Sequence, residues 1–360
     1  MERKIVVVTG ATGHLGNNVI RELIDNGYIV RALIYPGCTI GKESLKDLQV
    51  EVFLGDILNI PSLEKAFEGA DYVVHLAGII SIDGDKEGLV TRTNQVGTAN
   101  VADTCLNKKI KRLIHMSSIH VYDFLDYRKP ISEDTRFSSR ELHGFYAYSK
   151  VLAEQEIRKR IEKGLDSIIL NPSGIIGPND FEPSRMGQFF LDIFYNRYPV
   201  VINGGFHYVD ARDIGKTIIN SFSKGRIGES YILSQSFYSI KDLYEICHEI
   251  TGLSIPKFEL PLFMAYLGIP FDKLKSKLLK REASVTTESL AALKTMAELN
   301  NTKAINELSF QPRKIEDTLR DIYIWFIRNN FIDLMSQTDL IKERCGQLID
   351  REKEVYLKAG

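Results

Sequence analysis

The sequence predicts an α/β protein: a doubly wound parallel sheet with a smaller, mostly helical C-terminal lobe. Three observations carry that reading. Short apolar runs alternate with amphipathic stretches through the first half of the 360 residues, as in a parallel sheet covered by helices on both faces. The first run leads straight into a glycine-spaced turn, Gly10-Ala11-Thr12-Gly13-His14-Leu15-Gly16. After Pro172 the alternation loosens, and helical stretches rich in Leu, Lys and Glu take over.

The run Ile5-Val6-Val7-Val8 shows no polar alternation and reads as a buried strand, and helical periodicity follows the turn to about residue 26. Glycine at 10 permits a tight turn, at 13 a close approach of backbone to a pyrophosphate, and at 16 close packing of helix on strand. The new helix points backbone N–H groups and its positive end at the phosphates. The spacing is G-x-x-G-x-x-G rather than G-x-G-x-x-G, and its place between strand and helix makes it a nucleotide site.

Further strands are predicted at 29–34, 50–54, 72–76, 112–116 and 167–170, and helices over 94–106 and 146–162. Right-handed crossovers between such strands give a Rossmann-type sheet with its ligands at the carboxyl ends. Short strands near Val200 and Tyr231 then mix with helices over 185–196, 214–222 and 240–250, and helices continue to about residue 329. The division predicted is a nucleotide-binding domain over 1–172, a substrate lobe over 173–330 interleaved with it, and a charged helical tail over 331–360. Leu334, Ile341, Cys345, Leu348 and Val355 share one face of that tail. The stripe docks on its own domain or on a second subunit of a homodimer, and the sequence leaves both open.

With 44% apolar and 26% charged residues, the composition is that of an ordinary globular chain. A net charge of −1 and the lack of a basic patch with interleaved aromatics argue against nucleic acid. Cys38, Cys105, Cys247 and Cys345 show no metal-ligand spacing, so no metal site and a reduced, cytoplasmic setting are expected. No stretch reaches the roughly 20 apolar residues of a membrane span. The run over 260–271, followed by basic residues over 273–281, reads as a helix covering the substrate pocket rather than a membrane-surface contact.

Tyr146-Ala147-Tyr148-Ser149-Lys150 places Tyr146 and Lys150 on one helix face. A nearby ammonium favours phenolate, so Tyr146 is expected to have a lowered pKa and to exchange protons near neutrality. About one Y-x-x-x-K is expected by chance in such a chain; position, at the start of the helix after strand five, supplies the specificity. That strand ends in Ser117-Ser118, and a serine there faces the ligand crevice. Ser118 either orients a substrate carbonyl or simply ends the strand.

Glycine turn, strand-end serine and Y-x-x-x-K in this order resemble an extended short-chain dehydrogenase/reductase of the NAD-dependent epimerase/dehydratase group. The chain is most similar to dihydroflavonol-reductase-like and 3β-hydroxysteroid-dehydrogenase-like proteins, over roughly residues 4 to 330. Matching landmarks are Gly55-Asp56-Ile57, His75-Leu76-Ala77-Gly78, Asn94-Gln95-Val96-Gly97-Thr98, Asn171-Pro172-Ser173 and Tyr208-Val209-Asp210-Ala211-Arg212-Asp213. The resemblance implies Tyr146 as acid/base, Lys150 on the nicotinamide ribose, and Ser118 on the carbonyl, with Ser117 the alternative register. It implies Gly10, Thr12, Gly13, His14, Leu15 and Gly16 around the pyrophosphate and Asp56 and Ile57 beside the adenine. Leu76, Ala77 and Gly78 line the phosphate and ribose path, Asn94 the nicotinamide end, and Asn171, Pro172 and Ser173 the carboxamide. Bland roles remain open beside these: Asp56 as a turn residue, Asn94 as a helix N-cap, and His14, His75 and His120 as packing groups.

At the end of strand two an acid would bind a ribose 2′-hydroxyl and a base a 2′-phosphate. Here Val30-Arg31-Ala32-Leu33-Ile34-Tyr35-Pro36-Gly37 offers no acid at its tip, and Tyr35 stands where NADP-using relatives often carry arginine. Arg31 lies too early, and Lys42 is placed to reach back from the loop. NADP is therefore expected, with NAD the alternative. The favoured reading is an oxidoreductase acting on a small, apolar carbonyl or alcohol substrate. A nucleotide-sugar epimerase or dehydratase and a non-catalytic dinucleotide sensor are the alternatives. Ser118-Ile119-His120 lacks the Asp-Glu pair of dehydratases, and Asn203-Gly204-Gly205-Phe206-His207 lacks the arginine typical of epimerases. Phe181, Met186, Phe189, Phe190, Phe194 and Tyr198 form either an aromatic wall for a bulky ketone or ordinary core.

Overall fold

The computed structural model describes residues 3–38, 41–81, 84–124, 129–267, 269, 290 and 297–359. Its first half alternates β1 (Ile5–Thr9), α1 (His14–Asp25), β2 (Ile29–Ile34), the short α2 (Gly41–Ser44), β3 (Val50–Leu54), α3 (Ile60–Phe67) and β4 (Tyr72–His75). The one-turn α4 (Leu89–Thr91), α5 (Thr98–Asn107), β5 (Arg112–Met116), α6 (Arg140–Ile161) and β6 (Ser167–Pro172) follow. The chain then runs through β7 (Gly174–Ile176), α7 (Arg185–Phe194), β8 (Val201–Ile202), β9 (Gly205–Asp210) and α8 (Ala211–Ser221) to β10 (Ser230–Leu233).

Seven strands form one parallel sheet in the order β10-β6-β5-β4-β1-β2-β3. Val6, Val7 and Val8 are wholly buried because helices cover both faces. Val19, Ile20 and Leu23 of α1 pack with Ile214 and Ile218 of α8 on one face. Leu63 and Phe67 of α3 pack with Val101 and Cys105 of α5 and Ile157 of α6 on the other. Successive strands run away from β1 on both sides, through β2 and β3 one way and through β4, β5 and β6 the other. The ligand crevice of such a sheet opens at that switch point, above the carboxyl ends of β1 and β4.

The predicted strands stand, with small changes at β4 and β6. The strand near Tyr231 belongs to the main sheet, Ser230 pairing with Ile169 of β6. The helix expected over 94–106 is preceded by a wide i→i+5 turn, Arg92–Gly97, which holds Asn94 inside it rather than at an N-cap. The helix expected from 146 begins at Arg140 and breaks at Gly144, where φ is 80°.

The remaining elements are β11 (Phe237–Ser239), α9 (Ile240–Thr251), β12 (Glu259–Leu260), α10 (Thr302–Leu308), α11 (Ile315–Arg328) and α12 (Asp339–Ala359). β11, β9 and β7 form a small sheet. Phe190, Tyr208, Leu243, Tyr323 and Phe326 centre a second core, and Ile341, Cys345 and Leu348 of α12 are buried in it. The tail stripe therefore docks on its own chain. Arg344 donates to the carbonyls of His248 and Glu249, and Arg328 pairs with Glu352. Residues 262–267 are helical, and Leu262, Ala265 and Tyr266 pack on this second core; the Val355 side chain, residues 268, 270 and 271 and the stretch over 273–281 lie outside the described residues. Among the described residues no helix is long and apolar enough to cross a membrane, and no group of three metal-ligating side chains occurs.

Candidate active site

The glycine turn is shaped by two close approaches. A Cβ on Gly10, where φ is 69°, would lie 2.8 Å from the Ala77 nitrogen, and one on Gly16 would lie 2.2 Å from the Gly10 oxygen. Gly13 differs: its Cβ would meet protein only at 3.5 Å, an ordinary contact. Gly13 is the N-cap of α1 and makes no side-chain cap, and no acid stands in the helix's first turn. The first N–H groups of α1 thus face the crevice without a side-chain acceptor, which suits a diphosphate. His14 packs: its Nε2 lies 3.1 and 3.2 Å from the Gly177 and Pro178 oxygens, tying the turn to the loop after β7. Leu15 is half-buried beside the α1 core, and Thr12 Oγ1 lies 3.4 Å from Cys38 Sγ.

Thr9, which the sequence reading passed over, joins the two strand ends. Its Oγ1 accepts from the Ala77 N–H at 3.2 Å and bonds His75 Nδ1 at 2.7 Å. A threonine immediately before the first turn glycine was the available signal. Leu76, Ala77 and Gly78 continue from β4 along the crevice, and a Cβ on Gly78 would lie 3.1 Å from Asn94 Oδ1. Asn94 clamps that loop: its Oδ1 accepts from Ile79 N at 2.8 Å, and its Nδ2 donates to Ile79 O and to Ser149 Oγ of α6.

Beyond β2, Tyr35 is 62% exposed. Arg31 is tied to Glu51 and to the carbonyls of Ala66 and Glu68, away from the strand tip. The Lys42 side chain lies outside the described residues. Asp56 Oδ1 accepts from Leu58 N, closing a local turn. The Ile57 side chain turns inward, where a Cβ on Gly97 would strike it at 2.5 Å.

Ser118, Tyr146 and Lys150 meet at the end of β5. Ser118 stands in extended backbone, and its Oγ accepts from the His120 N–H at 3.2 Å. Ser118, not Ser117, lies near enough to the Tyr146 phenol to favour its ionised form. The His120 ring lies edge-on to Tyr146 with centroids 6.1 Å apart. Lys150 Nζ donates to the Met116 carbonyl at 2.7 Å. Burial lowers Lys150 to about 8, opposed by the Glu154 carboxylate. The expectation for Tyr146 is corrected: burial outweighs the opposing effect of Ser118 and holds the phenol above its ordinary value. His75 and His115 are packing groups kept neutral, His75 at about 3, by burial and by the Lys150 charge.

At the other side of the crevice, Asn171 Nδ2 donates to Ser118 O at 3.2 Å and to Glu154 Oε1 at 2.7 Å. Its Oδ1 and the Ser173 Oγ are buried with no hydrogen-bond partner among the described residues. Both lie beside Pro172, where the resemblance implies backbone support for a carboxamide, and each is a buried polar atom that could take a partner. Together with the open Gly13 cradle, they fit a nicotinamide dinucleotide. The aromatic wall is largely core: Phe190 and Phe194 are 0% and 2% exposed, and the Tyr198 hydroxyl donates to Asp192. Met186 and Phe189 are half-buried against that core, and Phe181 packs edge-on against Trp325.

The NAD dependent epimerase/dehydratase family model matches residues 6–226, which hold the crevice just described and every strand of the main sheet except β10. The chain belongs to this family. A Synechocystis sp. protein named provisionally as a dihydroflavonol 4-reductase is 29% identical over 333 residues, covering 90% of this chain and 95% of the relative. Sterol demethylase protein B of Methylococcus capsulatus is 29% identical over 329 residues, 91% of this chain and 99% of that one. The crystal structure of gox2253 superposes with a TM-score of 0.79 at 29% identity, covering 92% of this chain and 100% of the other.

Proposed function

We propose that this family member is an NADP-dependent oxidoreductase that interconverts a ketone or aldehyde and its alcohol on a small, apolar molecule. The observation that carries the reading is the convergence of Ser118, Tyr146 and Lys150 at the end of β5, with Lys150 Nζ held on the Met116 carbonyl. When bound, a nicotinamide would provide the hydride chemistry at the substrate carbon. Ser118 and Tyr146 hold the substrate oxygen. In the reductive direction Tyr146 gives its phenolic proton to that oxygen as charge develops there. A phenol held above its ordinary value keeps that proton in the resting site. Lys150 fixes the ribose and, as an ammonium, stabilises the phenolate left behind.

The absence of an acid after Ile34 favours NADP over NAD, since nothing there repels a 2′-phosphate. The Methylococcus relative's name places that protein in sterol demethylation, which agrees with an apolar substrate here. The test is a titration with NADPH and NADH followed by turnover across sterol-like, flavonoid-like and small ketones. Preferential NADPH binding and turnover of an apolar ketone are expected. Release of bound NAD on denaturation, with activity on a nucleotide sugar, would sink the reading in favour of an epimerase.

A further inference from the structure

We infer that Glu154 is a positioning residue for this site, holding Asn171 against the Ser118 carbonyl from a place one helical turn beyond Lys150. The inference rests on the proposed oxidoreductase reading, in which Lys150 acts as an ammonium. Three observations carry it. Tyr146, Lys150 and Glu154 recur at intervals of four along α6, so they form one stripe facing the sheet. Glu154 is 0% exposed, where a helix packed on a sheet would ordinarily carry an apolar residue. Asn171 Nδ2 donates both to the Glu154 carboxylate and to the backbone carbonyl of Ser118, at 2.7 and 3.2 Å.

A buried carboxylate is costly unless hydrogen-bonded and matched by charge. Arg158 does not fully match it: its Nη2 is 3.5 Å from Glu154 but 2.8 Å from Ser230 Oγ, and its Nη1 donates to Gly228 O. The second cation in reach is Lys150, whose pKa the carboxylate raises against the effect of burial. The titratable or charged groups facing the pair are Tyr146 and Arg158 on α6, His115 on β5, His75 on β4, and Tyr122 after β5, with Glu133 beyond it. Both histidines are neutral, and β6 and β10 contribute the uncharged Asn171 and Ser230. The carboxylate thus has two consequences: it holds Lys150 as an ammonium, and through Asn171 it anchors the carbonyl of Ser118.

The experiment is NADPH binding against pH for the wild type, Glu154→Gln, Glu154→Asp and Glu154→Met, with turnover measured in parallel. Wild-type affinity is expected to fall as pH rises through the Lys150 titration. Glu154→Gln moves that alkaline limb down by about one pH unit, and Glu154→Asp restores it. Should Glu154→Gln fail to fold, Glu154→Met still decides, because an apolar side chain of similar length removes the same charge from a buried position. A limb that stays put or moves up in the variant that folds overturns the inference and leaves Glu154 a purely structural group. Because binding is read without turnover, failure here is distinguishable from finding no carbonyl substrate.

Discussion

Gly16 approaches Gly10 so closely that a Cβ on Gly16 would sit 2.2 Å from the Gly10 carbonyl oxygen, while Gly13 between them has open space on its crevice side. Two glycines of one turn therefore answer to the protein and the third to its ligand. Gly16→Ala forces backbone apart and is expected to cost about 1–3 kcal/mol, seen as a lowered melting temperature. Gly13→Ala is expected to melt close to the wild type yet bind NADPH at least about tenfold more weakly, because its methyl group occupies the diphosphate's place. Equal effects of the two variants on stability would contradict this division of labour.

Tyr146→Phe removes the phenolic proton and little else. Turnover should fall by about 10²–10⁴-fold, the usual worth of a positioned acid, while NADPH affinity stays within a few-fold. Lys150→Met should lose both, since the ammonium anchors the ribose as well as stabilising the phenolate. Stopped-flow turnover paired with equilibrium titration separates the two. Abolished cofactor binding in Tyr146→Phe would be incompatible with the acid/base role.

His115 and His75 pair across β5 and β4 with ring centroids 5.4 Å apart, and neither His115 nitrogen has a partner among the described residues. Burial depresses both pKa values, His75 to about 3. Below the ordinary value of 6.5 the unfolded chain takes up protons that the folded chain refuses, so stability falls as pH drops from 6.5 towards 3. Each such histidine contributes a slope of up to about 1.4 kcal/mol per pH unit. His115→Met removes one of these slopes and should flatten the acid limb of urea-unfolding free energies between pH 7 and 5. An unchanged slope would mean that His115 is protonated in the fold.

The sheet and the shared helix face of Tyr146 and Lys150 were legible because their signals are local. Val6–Val8 can only be buried, the glycines announce their turn, and residues four apart on a helix must share a face. What the sequence hid depends on long-range partners. The run Ser230–Leu233 carries no sign that it belongs beside β6. Asn94 has an ideal capping side chain, and only the fold shows that its hydrogen bonds go to Ile79 and Ser149. The sign of the Tyr146 shift was missed for the same reason. Spacing shows that Lys150 is near, but not that burial dominates at the phenol while the ammonium donates to Met116. Phe190 and Phe194 share a helical stripe that serves a core or a pocket equally well, and packing alone assigns them to the core.

The C-terminal helix offers a decisive case, because the same apolar stripe suits either docking in the chain or pairing between chains. Ile341, Cys345 and Leu348 are all buried by the lobe's own α9 and α11, and burial holds the Cys345 thiol up at about 11. Leu348→Ala is therefore expected to cost about 2–4 kcal/mol through the cavity it leaves, at every protein concentration. A stripe that paired between subunits would instead give a loss that vanishes when the protein is dilute, because the wild type would then already be dissociated. Unfolding curves of both proteins over a hundredfold range of concentration distinguish the outcomes. Cys345 should stay unreactive to thiol reagents in the folded protein, since its sulfur is wholly enclosed and kept as the neutral thiol.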